Sequence, residues 1–208
     1  MNRILFVIAL VVLAACGAPS AQSQPAATPR PPSGAVQEAV FAGGCFWCTE
    51  HDFQAIPGVT EVLSGYTGGT LANPTYQDVI TETTGHYESV RVRFDSTRIT
   101  YRQLVDRYWR LIDPTDDGGQ FCDRGPSYRS AIFATPTQRA DAEASKAALM
   151  ASNRITGPVV TQVLPLGPFY PAESYHRDYA RKNSLHYNAY RTGCGRDARL
   201  AQVWRSAP

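Results

Sequence analysis

Residues 40–48, Val-Phe-Ala-Gly-Gly-Cys-Phe-Trp-Cys, decide how the fold of this chain is interpreted. The first three residues are typical of the end of a strand and the two glycines indicate a sharp turn. A helix is predicted from Cys45 to Phe53. A cysteine at a strand-to-helix junction lies near the partial positive charge and free N–H groups of the helix N-terminus, which favour the thiolate. The stretch therefore predicts a reactive thiol carried by a fold of strands and helices.

Outward from this stretch, short strands and helices alternate along the chain. The clearest strand spans residues 88–94, where valine and phenylalanine alternate with arginine, and the clearest helix spans residues 100–112. A helix is also predicted over residues 172–182, and the chain from Asn183 onward is expected to be irregular. The fold is therefore predicted to be α/β (of the α+β type), a single domain with a small mixed sheet flanked by helices.

The N-terminus has the features of an export signal. Arg3 precedes an apolar run over residues 4–15, which is too short for a membrane span of roughly twenty residues and fits a secretory signal. The run ends in Leu-Ala-Ala-Cys-Gly at residues 13–17, which resembles the lipobox of bacterial lipoproteins, whose cysteine carries the lipid. An ordinary signal peptide that contains a cysteine is the alternative. Cys16 is thus a candidate lipidation site.

Three parts are expected: a signal peptide at residues 1–15, lipidated Cys16 with a flexible linker through residue 35, and a catalytic domain at residues 36–208. The protein is expected to be exported and anchored by lipid alone on the periplasmic side of a bacterial membrane; whether this is the inner or the outer membrane stays open. A net charge of +2 with scattered basic residues gives no reason to expect nucleic acid as a partner.

The chain has five cysteines, four of which remain if Cys16 carries lipid. Cys45 and Cys48 form a C-x-x-C pair, a spacing associated with redox chemistry. Two structural disulfides are an alternative in an exported protein, and a four-cysteine zinc site is a weaker one, because Cys122 and Cys194 stand far apart in the sequence.

Several segments of the chain, taken together, indicate which reaction this thiol performs. Gly-Cys-Phe-Trp followed by Glu50 resembles the active-site signature of the peptide methionine sulfoxide reductase A family. Five further segments are similar to family segments, in the family order: 73–76 (Asn-Pro-Thr-Tyr), 85–88 (Gly-His-Tyr-Glu), 113–115 (Asp-Pro-Thr), 128–132 (Tyr-Arg-Ser-Ala-Ile) and 169–173 (Phe-Tyr-Pro-Ala-Glu). The resemblance covers roughly residues 40–186 and implies a two-layer, ferredoxin-like sandwich.

The resemblance implies the residues of the reaction. Cys45 would attack the sulfoxide sulfur, and Glu88 would protonate the leaving oxygen, a role that requires a carboxyl group kept neutral by burial. Tyr76 and Tyr128 would donate hydrogen bonds to the sulfoxide oxygen.

The resemblance also implies the substrate pocket. Asp123 matches the family's substrate-site aspartate, and Phe46 and Trp47 would hold the S-methyl group, since sulfur packs favourably against aromatic ring edges. The family gives His86 and His176 no proton-transfer role, so both are interpreted as structural.

The sequence departs from the family at its cysteines. Many members have glycine at position 48 and asparagine at position 122, and residues 125–127 also differ. Attack by Cys45 should leave a sulfenic acid that a second thiol converts into a disulfide. The candidates for this resolving thiol are Cys194, between two glycines in a tail expected to be mobile, then Cys48, then Cys122.

The predicted enzyme reduces methionine S-sulfoxide, protein-bound or free, with a thioredoxin-like electron donor and as a monomer. No flavin, nicotinamide or metal cofactor is expected. A general thiol–disulfide oxidoreductase built on Cys45 and Cys48 is the alternative, although it gives Glu88, Tyr76 and Tyr128 no role. A non-enzymatic anchored binding protein with structural cysteines is a third hypothesis.

Overall fold

The computed structural model describes residues 36–205. The predicted signal peptide, Cys16 and the linker therefore lie outside the described residues. Within the described part of the chain, no helix has the length and apolar character needed to cross a membrane.

Eight strands and seven helices make up the described chain. The strands are β1 (Val36–Gly43), β2 (Val59–Thr67), β3 (Tyr87–Asp95), β4 (Gly119–Gln120), β5 (Asp123–Arg124), β6 (Ser130–Ala134), β7 (Gln162–Pro165) and β8 (Tyr170–Pro171). The helices are α1 (Phe46–Gln54), α2 (Tyr76–Val79), α3 (Tyr101–Tyr108), α4 (Arg139–Ala151), α5 (Tyr179–Lys182), α6 (Ser184–Gly193) and α7 (Arg196–Val203). Short 3-10 helices follow at Trp109–Leu111 and Pro126–Tyr128.

Six of the strands form one sheet in the order β7-β6-β1-β3-β2-β8, and β4 and β5 form a separate small hairpin. All neighbours in the large sheet are antiparallel except β6 and β7, which are parallel. The prediction of an α/β domain with a mixed sheet flanked by helices is confirmed.

The main core lies between one face of the sheet and the helices. Phe41 of β1 stacks on Phe53 of α1 and on Tyr108 of α3, with ring centroids 4.9 Å apart in both pairs. Because side chains alternate along a strand, Val40 and Ala42 lie on the other face, where they form a smaller cluster with residues of β6. Helix α1, which begins directly after Cys45, is thus fixed against the sheet by its own apolar side chains.

The register between β1 and β3 brings two distant segments to one place. Phe41 pairs with Val90, and continuing that register puts Glu88 level with Gly43. Val90 and Val92 are completely buried whereas Arg93 is exposed, as the alternating pattern predicts. The start of β3 therefore lies beside the turn that carries Cys45.

Two predictions about the C-terminal part are wrong. Of the helix predicted over residues 172–182, only residues 179–182 are helical. Residues 172–178 are not, because their polar groups bond to other elements: Ala172 N–H donates to Ser64 O at 2.9 Å, and Asp178 N–H donates to the Glu50 carboxylate at 2.9 Å. The segment after Asn183 is not irregular but forms α6 and α7. These helices are stabilised by a buried arginine, Arg196, as well as by apolar contacts, so apolar periodicity alone does not reveal them.

Candidate active site

Cys45 occupies the N-cap position of α1, at the end of a turn that only glycine accommodates. Gly44 has a φ of +79°, and a Cβ atom there would lie 2.6 Å from Cβ of Gln120. The Cys45 carbonyl accepts the N–H groups of Cys48 and Thr49, both at 3.1 Å, which starts the helix. Cys45 as a residue is 6% exposed, so its thiol lies in a largely dry environment.

Glu88 faces the same helix terminus from β3. Its side chain is 2% exposed, and its Oε2 accepts the N–H of Phe46 at 2.9 Å. Burial raises the pKa of this carboxyl group to about 8, even though the hydrogen bond from Phe46 opposes the shift. Below that pH the site therefore holds a neutral carboxylic acid beside Cys45, the residue that precedes Phe46.

Two tyrosine hydroxyl groups complete this side of the site. Tyr76 and Tyr128 are hydrogen-bonded to each other, and burial raises the pKa of both, with the Glu88 carboxyl group adding to the shift. Tyr76 begins α2, where its backbone N–H donates to Glu173 Oε1 at 2.8 Å. Both phenols therefore stay protonated and can act as hydrogen-bond donors.

The two aromatic residues after Cys45 differ in exposure. Phe46 is fully buried and lies 4.9 Å from the ring of His176. Trp47 is half-buried, stacks on Tyr179 at 3.8 Å and donates its indole N–H to Nδ1 of His176 at 3.0 Å. The structure thus places an aromatic wall on the helix that carries Cys45.

The comparisons with known proteins agree with this geometry. The sequence profile of the family described as peptide methionine sulfoxide reductase matches residues 37–208. The chain is 60% identical over 202 residues to "Peptide methionine sulfoxide reductase MsrA 2" of Caulobacter vibrioides, an alignment that covers 97% of this chain and 96% of the relative. The chain belongs to the peptide methionine sulfoxide reductase family.

Other members and solved structures are similar. MsrA of Bacillus pumilus is 51% identical over 80% of this chain and 94% of its own length. Methionine sulfoxide reductase A of Corynebacterium diphtheriae is 34% identical, with a TM-score of 0.65 over 72% of this chain and 76% of that structure. The reduced form of Mxr1 from Saccharomyces cerevisiae is 28% identical, with a TM-score of 0.67 over 72% of this chain and 86% of that structure.

In this reductase, Cys45 and Cys48 are free and buried, and their sulfur atoms are hydrogen-bonded to each other. Burial raises the pKa of Cys45, whereas the hydrogen bond from Cys45 and the charges of Arg196 and Arg191 lower the pKa of Cys48. Of the two thiols, Cys48 is therefore the one that ionises more readily, although the helix terminus was expected to favour the thiolate of Cys45. The desolvation of Cys45 is the largest cause of its raised pKa and is a property of the folded chain that the sequence does not reveal.

The two remaining cysteines of the described chain are joined. Cys122 in the β4–β5 turn and Cys194 after α6 form a disulfide with Cα atoms 4.9 Å apart, across 72 residues of sequence. Cys194 therefore lies in an ordered turn between two helices, not in an irregular tail. Cys122, Asp123 and Cys194 place potential metal-ligand atoms within 4.8 Å of one another, but the two sulfur atoms are bonded together and offer no thiolate.

Asp123 and His176 each show a contact that the sequence did not indicate. Asp123 Oδ2 accepts the hydroxyl of Tyr190 at 2.6 Å, and burial raises the pKa of this carboxyl group. His176 is 2% exposed, and its Nε2 has no hydrogen-bond partner among the described residues. Nδ1 accepts the hydrogen bond from the indole N–H of Trp47, so a neutral His176 carries its proton on Nε2. This Nε2–H is a donor without a partner among the described residues, inside the aromatic wall. His86, in contrast, is held by Gly69 and Leu71 and has a structural role.

Proposed function

We propose that this reductase converts methionine S-sulfoxide, in oxidised proteins or free, to methionine by the chemistry of Cys45 and Glu88. The observation that supports this is a buried free thiol and a neutral carboxylic acid at the same helix terminus. A sulfoxide is reduced when a thiolate attacks its sulfur while its oxygen receives a proton. The site holds both components next to each other.

The substrate would lie between the polar and the aromatic side of the site. The sulfoxide oxygen accepts hydrogen bonds from Tyr76, Tyr128 and the protonated Glu88, and the S-methyl group packs against Phe46 and Trp47. The free Nε2–H of His176 and the carboxylate of Asp123 supply a donor and an acceptor for the rest of the methionine residue.

The first step uses one proton and one thiolate. Cys45 gives its proton to the Cys48 thiolate and attacks the sulfoxide sulfur, while Glu88 gives its proton to the oxygen. The S–O bond breaks, the oxygen goes to the sulfur of Cys45, and the products are methionine and a Cys45 sulfenic acid. Sulfur in the substrate is reduced by two electrons and sulfur in Cys45 is oxidised by two.

Cys48 is the resolving thiol that the geometry favours. It contacts Cys45 directly, and two arginines favour its thiolate, whereas Cys194 and Cys122 are bonded to each other. Its sulfur attacks the Cys45 sulfenic acid, the disulfide forms, and the oxygen leaves as water. The two protons in that water equal the two that the resting site holds, one on the thiol pair and one on Glu88.

A thioredoxin-like dithiol protein then reduces the Cys45–Cys48 disulfide by thiol–disulfide exchange. Its own two thiols are oxidised to a disulfide, and Cys45 and Cys48 become thiols again. The signal and lipobox-like residues support an exported enzyme attached to a bacterial membrane through lipid on Cys16 and facing the periplasm. The alternative function, general thiol–disulfide exchange by Cys45 and Cys48, leaves the neutral Glu88 without a role.

The test is reduction of a peptide that contains a single methionine sulfoxide, with dithiothreitol as reductant. We expect the S epimer to be reduced, the R epimer to serve as the matched inactive substrate, and Cys45→Ser to abolish methionine formation. Equal rates on both epimers, or substantial activity in Cys45→Ser, would refute the proposal.

A further inference from the structure

Tyr190, in the last turn of α6, contacts the reacting sulfur although no feature of the sequence singled it out. Its hydroxyl group donates to Asp123 Oδ2 at 2.6 Å and lies close enough to the Cys45 sulfur to lower the pKa of that thiol. The Tyr190 ring is half-buried and lies edge-on to Trp47, with centroids 5.8 Å apart. A single phenol therefore joins the nucleophile, the substrate-site aspartate and the aromatic wall.

One of the groups around Cys45 favours its thiolate through a hydrogen bond. The groups that face the sulfur are Cys48, Glu88, Tyr76 and Tyr190. Cys48 and Glu88 are acids whose negative forms oppose a second negative charge nearby. The hydrogen bond from Tyr190 is the contact that acts in the opposite direction and favours the Cys45 thiolate.

The Tyr190 hydroxyl has one proton and two acceptors. In the resting state Cys45 is a thiol, so the proton is directed to Asp123. When Cys45 ionises, its thiolate becomes a strong acceptor, and rotation about the C–O bond turns the same proton toward sulfur. Burial raises the pKa of Tyr190 far above neutrality, so the phenol remains a donor throughout.

The Cys122–Cys194 disulfide holds both ends of this arrangement. Cys122 directly precedes Asp123, and Cys194 lies one helical turn after Tyr190, with its N–H donating to the Tyr190 carbonyl at 2.9 Å. The disulfide and the Tyr190–Asp123 hydrogen bond thus join the same two short segments. Breaking the disulfide removes the covalent link between these segments and leaves them joined by the hydrogen bond and by the contact of Arg196 with the Phe121 ring.

We propose that Tyr190 is a further catalytic residue, whose hydroxyl group donates to the Cys45 thiolate during attack, and that the Cys122–Cys194 disulfide is the element that positions it. The proposal rests on the proposed function, since it assigns a role within that reaction. It gives the second pair of cysteines a positioning role instead of a resolving one.

Tyr190→Phe tests the hydroxyl group and keeps the ring that contacts Trp47. The readout is the rate of methionine formation in a single turnover without reductant, measured against pH. Loss of a hydrogen bond to a charged group should lower this rate by about tenfold at neutral pH and move the rise of the profile to higher pH by about one unit. Tyr101→Phe is the matched control, because Tyr101 has a buried hydroxyl group without a hydrogen-bond partner in the described chain.

The double variant Cys122→Ser, Cys194→Ser tests the disulfide. We expect it to slow single turnover several-fold in the wild-type background and to have no further effect in Tyr190→Phe, because both changes remove the same contact. It also gives an independent measurement if Tyr190→Phe does not fold. A Tyr190→Phe profile that matches Tyr101→Phe would overturn the assignment of Tyr190. Equal slowing by the double variant in both backgrounds would overturn the positioning role. Turnover by the wild type supports the proposed function in either case.

Discussion

Replacing Glu88 by glutamine should make the reductase more stable and much less active at neutral pH. Glutamine has nearly the same shape, and its carbonyl oxygen can still accept the N–H of Phe46. It has no proton to give to the sulfoxide and no charge to bury. The substitution therefore separates the catalytic use of this carboxyl group from its cost to folding.

The magnitude follows from the pKa of Glu88, which burial raises from 4.5 to about 8. A raised carboxyl pKa means that its contribution to stability is fully present below pH 4.5 and is lost as pH rises to about 8. At about 1.4 kcal/mol per pH unit, the loss accumulated between the unfolded pKa and neutrality is about 3 kcal/mol. Glutamine avoids this loss because it does not ionise.

Urea unfolding at a series of pH values measures the effect. The gain in free energy of unfolding of Glu88→Gln over the wild type should be small near pH 5, reach about 3 kcal/mol near pH 7 and level off above about pH 8. Glu61→Gln is the matched control, since the Glu61 side chain is 53% exposed in a surface ion pair with Arg93. Its effect should stay below about 1 kcal/mol and should not change over this range.

The kinetic half of the prediction uses the same variant. Removal of a general acid typically lowers the rate by about 10²–10⁴-fold, so Glu88→Gln should lose this much in the single-turnover reduction. In the wild type, Glu88 should lose its proton above about pH 8 and the rate should fall there. A gain in stability that is absent or does not change with pH would refute the argument that Glu88 is buried and protonated. Unchanged kinetics would refute its role as the acid.

Two further predictions concern the turn and the second thiol. Cys48→Ser should form one methionine per enzyme, more slowly than the wild type because the group that takes the Cys45 proton is missing, and then stop with a sulfenic acid on Cys45, detected by mass spectrometry after trapping with dimedone. Sustained turnover with a thioredoxin-type donor would contradict the resolving role. Gly44→Ala should lower the free energy of unfolding by at least about 2 kcal/mol, because it combines a positive φ with a Cβ atom 2.6 Å from Gln120. Gly85→Ala, where φ is +73° but the nearest atom is 3.5 Å away, is the matched control and should cost less in the same thermal or urea unfolding experiment.

Local patterns in the sequence were sufficient for the features that depend on neighbouring residues. The alternation in residues 88–94 predicted β3, and the strand-turn-helix pattern around Cys45 predicted the end of β1 and the start of α1. The ordered segments that resemble the reductase family predicted the fold and the enzyme, and the family assignment is confirmed. Predictions failed over residues 172–178 and 183–203, where polar contacts with distant elements help to decide the backbone conformation.

The sequence by itself determined which residues could react: a cysteine after two glycines, a second cysteine three residues later, and a carboxyl group at the start of a strand. Only the tertiary structure decided their protonation states and partners. Phe46 and Glu88 are 42 residues apart, and Cys122 and Cys194 are 72 apart, yet each pair is in contact. Burial raises the pKa of Glu88, and the hydrogen bond from Cys45 and the charges of two distant arginines lower the pKa of Cys48. Both the burial and the nearby charges exist only once the sheet and helices pack together. Periodicity along the chain encodes secondary structure, whereas proton positions depend on the surroundings that folding creates.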